Sequence, residues 1–309
     1  MGKKEFKTLD EQIEILEDKG LIIDNKDIAK DILFRENYYF IVGYRHLFMR
    51  SNTDKLFIPG TNFKELYALF NYDRNLRNIF IKYLLIIENN MKSIYSYELS
   101  RKYGVREKDY LKPDIFTEDQ ARKRQIDDLI YKMKRQIRVN GSKHTATSHY
   151  LSNYGYIPLW VLVKILSFGL ISEMYQILKS EEQLSISSYF NLDVETMKTY
   201  FHILANYRNL CAHEDITFDH RTEKRIPDTK YHSELNIPLT NDEYIYGKND
   251  LFSLILILKQ LLTKREFEQM IRRITDEVDM LDSKLNTISI NKVLDTSGIP
   301  LNYATLADE

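Results

Sequence analysis

Arg208, Asn209 and His213 lie in one strongly periodic stretch, after Met197, Tyr200, Phe201 and Leu204 recur at helical spacing. Residues four apart on a helix share a face, so Asn209 and His213 are neighbours. Arg208, one step round, is long enough to reach the same point. An imidazole takes or gives a proton near neutral pH, a guanidinium grips two phosphate oxygens at once, and an amide orients the imidazole or the scissile group. Cleavage of RNA by its own 2′-hydroxyl calls for those functions and for no metal. The bare Arg-x4-His pattern is weak, because looser spacings also join Arg138 to His144 and Arg225 to His232. Those matches fall at a helix end running into Asn140-Gly141 and in a Pro-containing loop. Only the 208 match stands on a periodic helix. A plainer alternative stays open, in which Arg208 pairs with Glu88 or Glu214 and His213 merely ends a helix.

Other chemistries find no residues. The seven His show no H-E-x-x-H spacing, His213-Glu214 starting that motif and then leaving it, and the single Cys211 cannot build a thiolate site. No metal is expected. No Gly-x-x-x-x-Gly-Lys or Gly-x-Gly-x-x-Gly loop offers a phosphate cradle, so no cofactor is expected either. Cys211 and His213, two apart on a helix, diverge, and Cys211 reads as a buried structural residue.

A second candidate surface is hidden in the charge count. The chain carries 44 Lys+Arg and 45 Asp+Glu, a net of −1, yet residues 101–144 hold 13 basic and 7 acidic groups, a net of +6. The remaining 265 residues therefore carry −7. Within the basic stretch, Ile126, Leu129, Ile130, Met133 and Ile137 form the inner face of a helix. Arg122, Lys123, Arg124, Lys132, Lys134, Arg135 and Arg138 fall mostly outside. Tyr103, Tyr110 and Tyr131 are interleaved with the cations, which suits phosphate contact and stacking on unpaired RNA bases. A solvated helix face is the alternative.

The elements that position these residues are helical. Ten Gly and six Pro in 309 residues are too few turn-formers for a many-stranded sheet, and no alternating run requires one. Thr8-x-x-Glu11 is a capping box for a helix ending at Gly20, and a second helix covers about 24–34. Residues 53–61 form a loop. One long helix runs from Asn62 to Tyr103, and Glu88 falls on its buried stripe with Leu84, Met91 and Tyr95, so its carboxylate needs a partner. Thr117-x-x-Gln120 is read as the capping box of the basic helix. Pro158 opens one apolar helix through Ile171, Ser180-x-x-Gln183 and Asp193 open the next two, and closing helices follow at about 250–262 and 264–285. The residues after Asn286 read as a loosely attached tail. No apolar run approaches the roughly 20 residues that span a bilayer, and no signal-peptide h-region precedes the first helix. A cytoplasmic protein without membrane contact is expected.

Four ordered motifs resemble a known family. Tyr38-Tyr39-Phe40-Ile-Val-Gly43-Tyr44, then Leu66-Tyr67 with Asp73-Arg74-Asn75-Leu76-Arg77, then Pro158-Leu159-Trp160-Val161 with Ser167-Phe168-Gly169, and finally Arg208-Asn209-Leu210-Cys211-Ala212-His213 follow the order and spacing of the Abi-like proteins. These are bacterial abortive-infection proteins of the AbiD/AbiF type, and the likeness covers roughly residues 8–260. It implies an all-α, HEPN-like helical bundle in which R-x4-6-H is a ribonuclease motif and two protomers join their motifs into one composite site. The implied organisation is an N-terminal helical segment at 1–60, a HEPN-like domain at 61–285 with a basic helical insertion at 104–155, and a tail at 286–309. By the same resemblance Arg208, Asn209 and His213 are catalytic, with Glu88 supporting Arg208. RNA is the substrate, a small non-coding RNA is a further partner, and the outcome is defence against phage. Where such proteins often continue with a second His and an Arg, this chain has Glu214-Asp215, two acids that would repel phosphate.

Overall fold

Many of the helices begin where a side chain can take up free amide groups. In the computed structural model, which describes residues 5–51 and 53–308, Thr8 and Glu11 exchange reciprocal bonds to open α1 (Leu9–Asp18). Met1 to Lys4 and Asn52 of the expected segment 1–60, and Glu309 of the expected tail, lie outside the described residues. Asn25 caps α2 (Lys26–Glu36), and Asn37 caps the short α3 (Tyr38–Gly43), which runs into a 3-10 turn at Tyr44–Phe48.

The spine is α4 (Phe63–Tyr103), 41 residues opened by an Asn62/Glu65 capping box, or about 60 Å of helix at 1.5 Å per residue. Its buried stripe includes Leu66, Asp73, Leu76, Phe80, Leu84, Glu88, Met91 and Tyr95. A short turn α5 (Glu107–Tyr110) leads to α6 (Lys123–Asn140) and α7 (Thr145–Tyr154), and then to α8 (Leu159–Leu162), α9 (Phe168–Ile177), α10 (Ser180–Ser188) and α11 (Val194–His213). α12 (Lys230–Glu234) precedes a hairpin of β1 (Leu239–Thr240) and β2 (Glu243–Tyr244), paired antiparallel with Leu239 opposite Tyr244. Asn241 and Asp242 make its turn with φ of 52° and 63°, the left-handed pair that two-residue hairpins favour. α13 (Leu251–Leu261), α14 (Lys264–Asp282) and α15 (Ile290–Ser297) close the chain. The fold is all-α, as the scarcity of Gly and Pro indicated. α11 and α14 both lie along α4, and α9 packs on α11. Buried side chains from Ile13 to Leu306 belong to one continuous core.

Four expectations change. The apolar run from Pro158 is two helices, because the Ser167 hydroxyl accepts the Leu170 N–H at 3.2 Å and starts α9 afresh. A continuous apolar run carries no periodicity that could reveal such a break. Thr117 does not cap the basic helix. The Asp119 carboxylate opens a 3-10 turn at Gln120–Arg122, and α6 starts only at Lys123. Ser180 is the first residue of α10 rather than its cap, and Gln183 donates to the carbonyls of Tyr175 and Gln176. The tail is docked. The buried Glu65 carboxylate accepts the N–H groups of Asn286 and Thr287 at 2.7 Å each, and Val293, Leu294, Tyr303 and Leu306 are buried. Among the described residues no helix is long and apolar enough to cross a membrane.

Candidate active site

α11 is built to bury one side and end abruptly. The Asp193 carboxylate accepts the Thr196 N–H at 2.9 Å at its start, and Met197, Tyr200, Phe201, Leu204, Tyr207 and Cys211 face inward. At the other end Glu214 takes a left-handed conformation with φ 57°, and its N–H and that of Asp215 both reach the Leu210 carbonyl. Such a cap usually falls to glycine, and a side chain there costs about 1–2 kcal/mol. Asn209 and His213 are left exposed on one face, and Arg208 is half-buried beside them.

Arg208 turns toward α4. Its Nε donates to Glu88 Oε2 at 3.2 Å, and Glu88 is only 6% exposed. The other oxygen of Glu88 accepts from Lys92 Nζ at 2.7 Å, and the same ammonium donates to the Leu166 carbonyl at 2.7 Å. One buried carboxylate thus serves two cations and ties α4 to α11 and to the break between α8 and α9. The terminal amino groups of Arg208 make no hydrogen bond among the described residues, so the fork that suits an oxyanion is free. Of the two partners considered for Arg208, Glu88 is the one found. Glu214 lies 3.6 Å from Arg74 instead.

A buried network that helical spacing does not reveal fixes the chain just after His213. Asp73, fully buried, accepts the backbone N–H groups of Thr217 and Phe218 at 3.1 and 2.8 Å and the Tyr44 hydroxyl at 2.6 Å. It also accepts from Arg77, which donates in turn to the Asp215 carbonyl at 3.2 Å. The backbone of α3 closes over the same loop so tightly that a Cβ on Gly43 would sit 2.9 Å from Ile216 Cδ1. The one signal in the sequence is the ion-pair spacing of Asp73 and Arg77 on a helix.

A polar groove of about 660 Å³ runs between α9 and α11, with Lys198, His202, Asn206, Asn209 and Lys224 along it and Arg122 at its rim. His220 Nε2 lies 2.8 Å from the Asn206 Oδ1, and burial holds this imidazole below its ordinary pKa. The seven basic residues of the expected RNA surface divide in two. Arg122 donates to the Gln176 carbonyl at 2.8 Å, and Lys132 pairs with Asp128 and Glu173. Lys123, Arg124, Lys134, Arg135 and Arg138 are exposed and make no ion pair among the described residues. The three interleaved tyrosines divide as well. Tyr131 is exposed, Tyr103 is partly buried and donates to Glu182, and Tyr110 is buried with its hydroxyl on the Ile157 carbonyl, so that its ring cannot stack on bases.

Cys211 is 8% exposed, and burial pushes its thiol up to about 12, so it stays protonated and unreactive. The end of α11 carries a half-buried guanidinium, an exposed amide and an exposed imidazole on a helix whose exit is pinned. That set can bind a phosphodiester and move a proton.

A family model described as Abi-like protein matches residues 31–219, more than half of the chain, from α2 to the loop beyond α11. The matched stretch is narrower than the likeness over 8–260 drawn from the motifs. No curated protein and no solved structure matched.

Proposed function

Because the chain belongs to the Abi-like protein family, with the abortive-infection role that membership suggests, we propose that it acts as a HEPN-type endoribonuclease toxin that needs no metal. The observation that supports this most is Arg208, gripped through Nε by the buried Glu88 while its two terminal amino groups make no hydrogen bond among the described residues, on the same helix end as the exposed Asn209 and His213. In this reaction the RNA 2′-hydroxyl attacks the adjacent phosphorus. The O2′–P bond forms and the P–O5′ bond breaks, leaving a 2′,3′-cyclic phosphate and a 5′-hydroxyl. His213 takes the 2′-hydroxyl proton or supplies the one the 5′-oxygen needs. Two transfers require two groups, and a homodimer that joins two α11 ends provides a second His213. Arg208 binds the non-bridging oxygens as charge builds on them, and Asn209 orients the phosphate or the imidazole. Replacing His213 with Ala should abolish cleavage while RNA remains bound. Cleavage that persists in that variant would refute the assignment.

The exposed cations of α6 favour a second reading, in which the chain holds RNA, including a small non-coding RNA, without cutting it. Lys123, Arg124, Lys134, Arg135 and Arg138 stand free around Tyr131. This reading predicts salt-dependent RNA binding with no new RNA ends.

A further inference from the structure

α3 leaves two aromatic side chains in solvent. Tyr39 is 77% exposed and Phe40 55%, with their rings 6.0 Å apart and edge-on. Each would bury roughly 150–250 Å² if packed, so leaving both open on a six-residue helix marks a surface made to meet something. They stand at a cavity of about 640 Å³ between α2, α3, α4 and the loop after α11, with Tyr38 and Phe70 also on its wall.

The charges around this cavity are sorted. Arg74 is committed, held by both oxygens of Glu36 at 2.9 and 2.5 Å and lying 4.6 Å over the Phe70 ring. Arg45 is exposed and makes no hydrogen bond or ion pair among the described residues. Also on its lining, Glu214 lies 3.6 Å from Arg74, while Asp215 uses its backbone carbonyl to hold Arg77 and Thr217 and its carboxylate has no hydrogen bond among the described residues. Exposed aromatic rings, a free guanidinium and a free carboxylate lining one cavity match a nucleotide. The base lies on the rings, the phosphate meets Arg45, and donors on the base edge meet Asp215. Guanine presents two adjacent N–H donors to a carboxylate, a pattern the other common bases lack.

We propose that this cavity binds a guanine nucleotide, either the free mononucleotide or an unpaired guanine of an RNA strand. Asp215 follows His213 by two residues, so a guanine of a strand held here would lie beside the candidate catalytic end. That role in reading the substrate rests on the function proposed above, whereas binding itself does not.

Equilibrium binding of GMP, AMP and short single-stranded RNAs with and without a guanine tests the proposal on wild type and on three variants. Wild type should prefer the guanine ligands. The double variant Tyr39→Ala/Phe40→Ala should lose about tenfold or more in affinity, and its melting temperature should hold because both rings are exposed. Asp215→Asn should bring the guanine-over-adenine preference towards one. His213→Ala should bind as wild type does, so a failed cleavage assay leaves this result standing. Binding of GMP identifies a free nucleotide as a ligand, and binding of guanine-containing strands alone identifies an RNA base. Equal affinity for guanine and adenine ligands, unchanged affinity in the aromatic variant, or no binding of any of them would overturn the proposal.

Discussion

Glu88 fixes Arg208 from 120 residues away, and the direction in which the guanidinium fork points depends on that carboxylate. Glu88→Gln keeps the shape, removes the charge and leaves Lys92 with only the Leu166 carbonyl. Since a misplacement of about 1 Å can cost a factor of 10², cleavage should fall by about that much, mainly in kcat, with RNA affinity little changed. Unaltered kcat would show that Arg208 needs no such support. His46, stacked on Phe218 in the loop beyond α11, allows a pH test. Its Nε2 lies 3.1 Å from Asp219, and the hydrogen bond to that carboxylate raises the imidazole's pKa against the opposing effect of burial. The folded state therefore favours the protonated ring. The gain is fully present below the ordinary His value of about 6.5 and fades as pH rises through the higher folded value. The melting advantage of wild type over His46→Phe, which keeps an aromatic ring against Phe218, should shrink from acid to mildly alkaline pH. An advantage independent of pH would contradict the pairing. The motif residues were legible in the sequence because helical spacing alone places Asn209 beside His213. Asp73 was not, since its partners are backbone N–H groups about 144 residues away, and no periodicity announces a carboxylate that binds a loop.

Among the elements, α4 and α11 were readable to within a residue at their starts, because a polar cap and a steady apolar stripe agree along both, but only α4 has a stop signal, Gly104, where α11 ends at Glu214. The break at Ser167 and the late start of α6 were hidden, since each depends on which of several capping side chains wins. That break matters to the site. Lys92 bridges Glu88 to the carbonyl of Leu166, so the junction of α8 and α9 helps to hold the carboxylate that holds Arg208. α6 contributes charge instead of position. Reversing its free cations in Lys123→Glu/Arg124→Glu/Lys134→Glu/Arg135→Glu should weaken RNA binding and reduce the salt slope by roughly 0.7 for each phosphate of a single strand that is no longer neutralised. Filter binding across a range of salt concentrations would show it. An unchanged slope would leave α6 a solvated face.

On the scale of the whole molecule, the neutral total conceals an acidic body with a basic segment, and the last residues belong to the core. Removing everything after Leu285 strips the donors from Glu65 and uncovers the sites of Val293, Leu294, Tyr303 and Leu306. Each such burial is worth roughly 1.5–3 kcal/mol, so the truncated chain should melt far below the full one. Equal melting temperatures would mean that the tail adds nothing. No long apolar run marks this stretch, so its docking by Val293, Leu294, Tyr303, Leu306 and one buried carboxylate was not legible in the sequence. The central claim is that the end of α11 cuts RNA without a metal. The most direct measurement is end-group analysis of RNA incubated with the purified protein in excess EDTA, for wild type and His213→Ala. Wild type should give new 2′,3′-cyclic phosphate and 5′-hydroxyl ends, and the variant none. Intact RNA with wild type, or the same ends from both proteins, would contradict that claim.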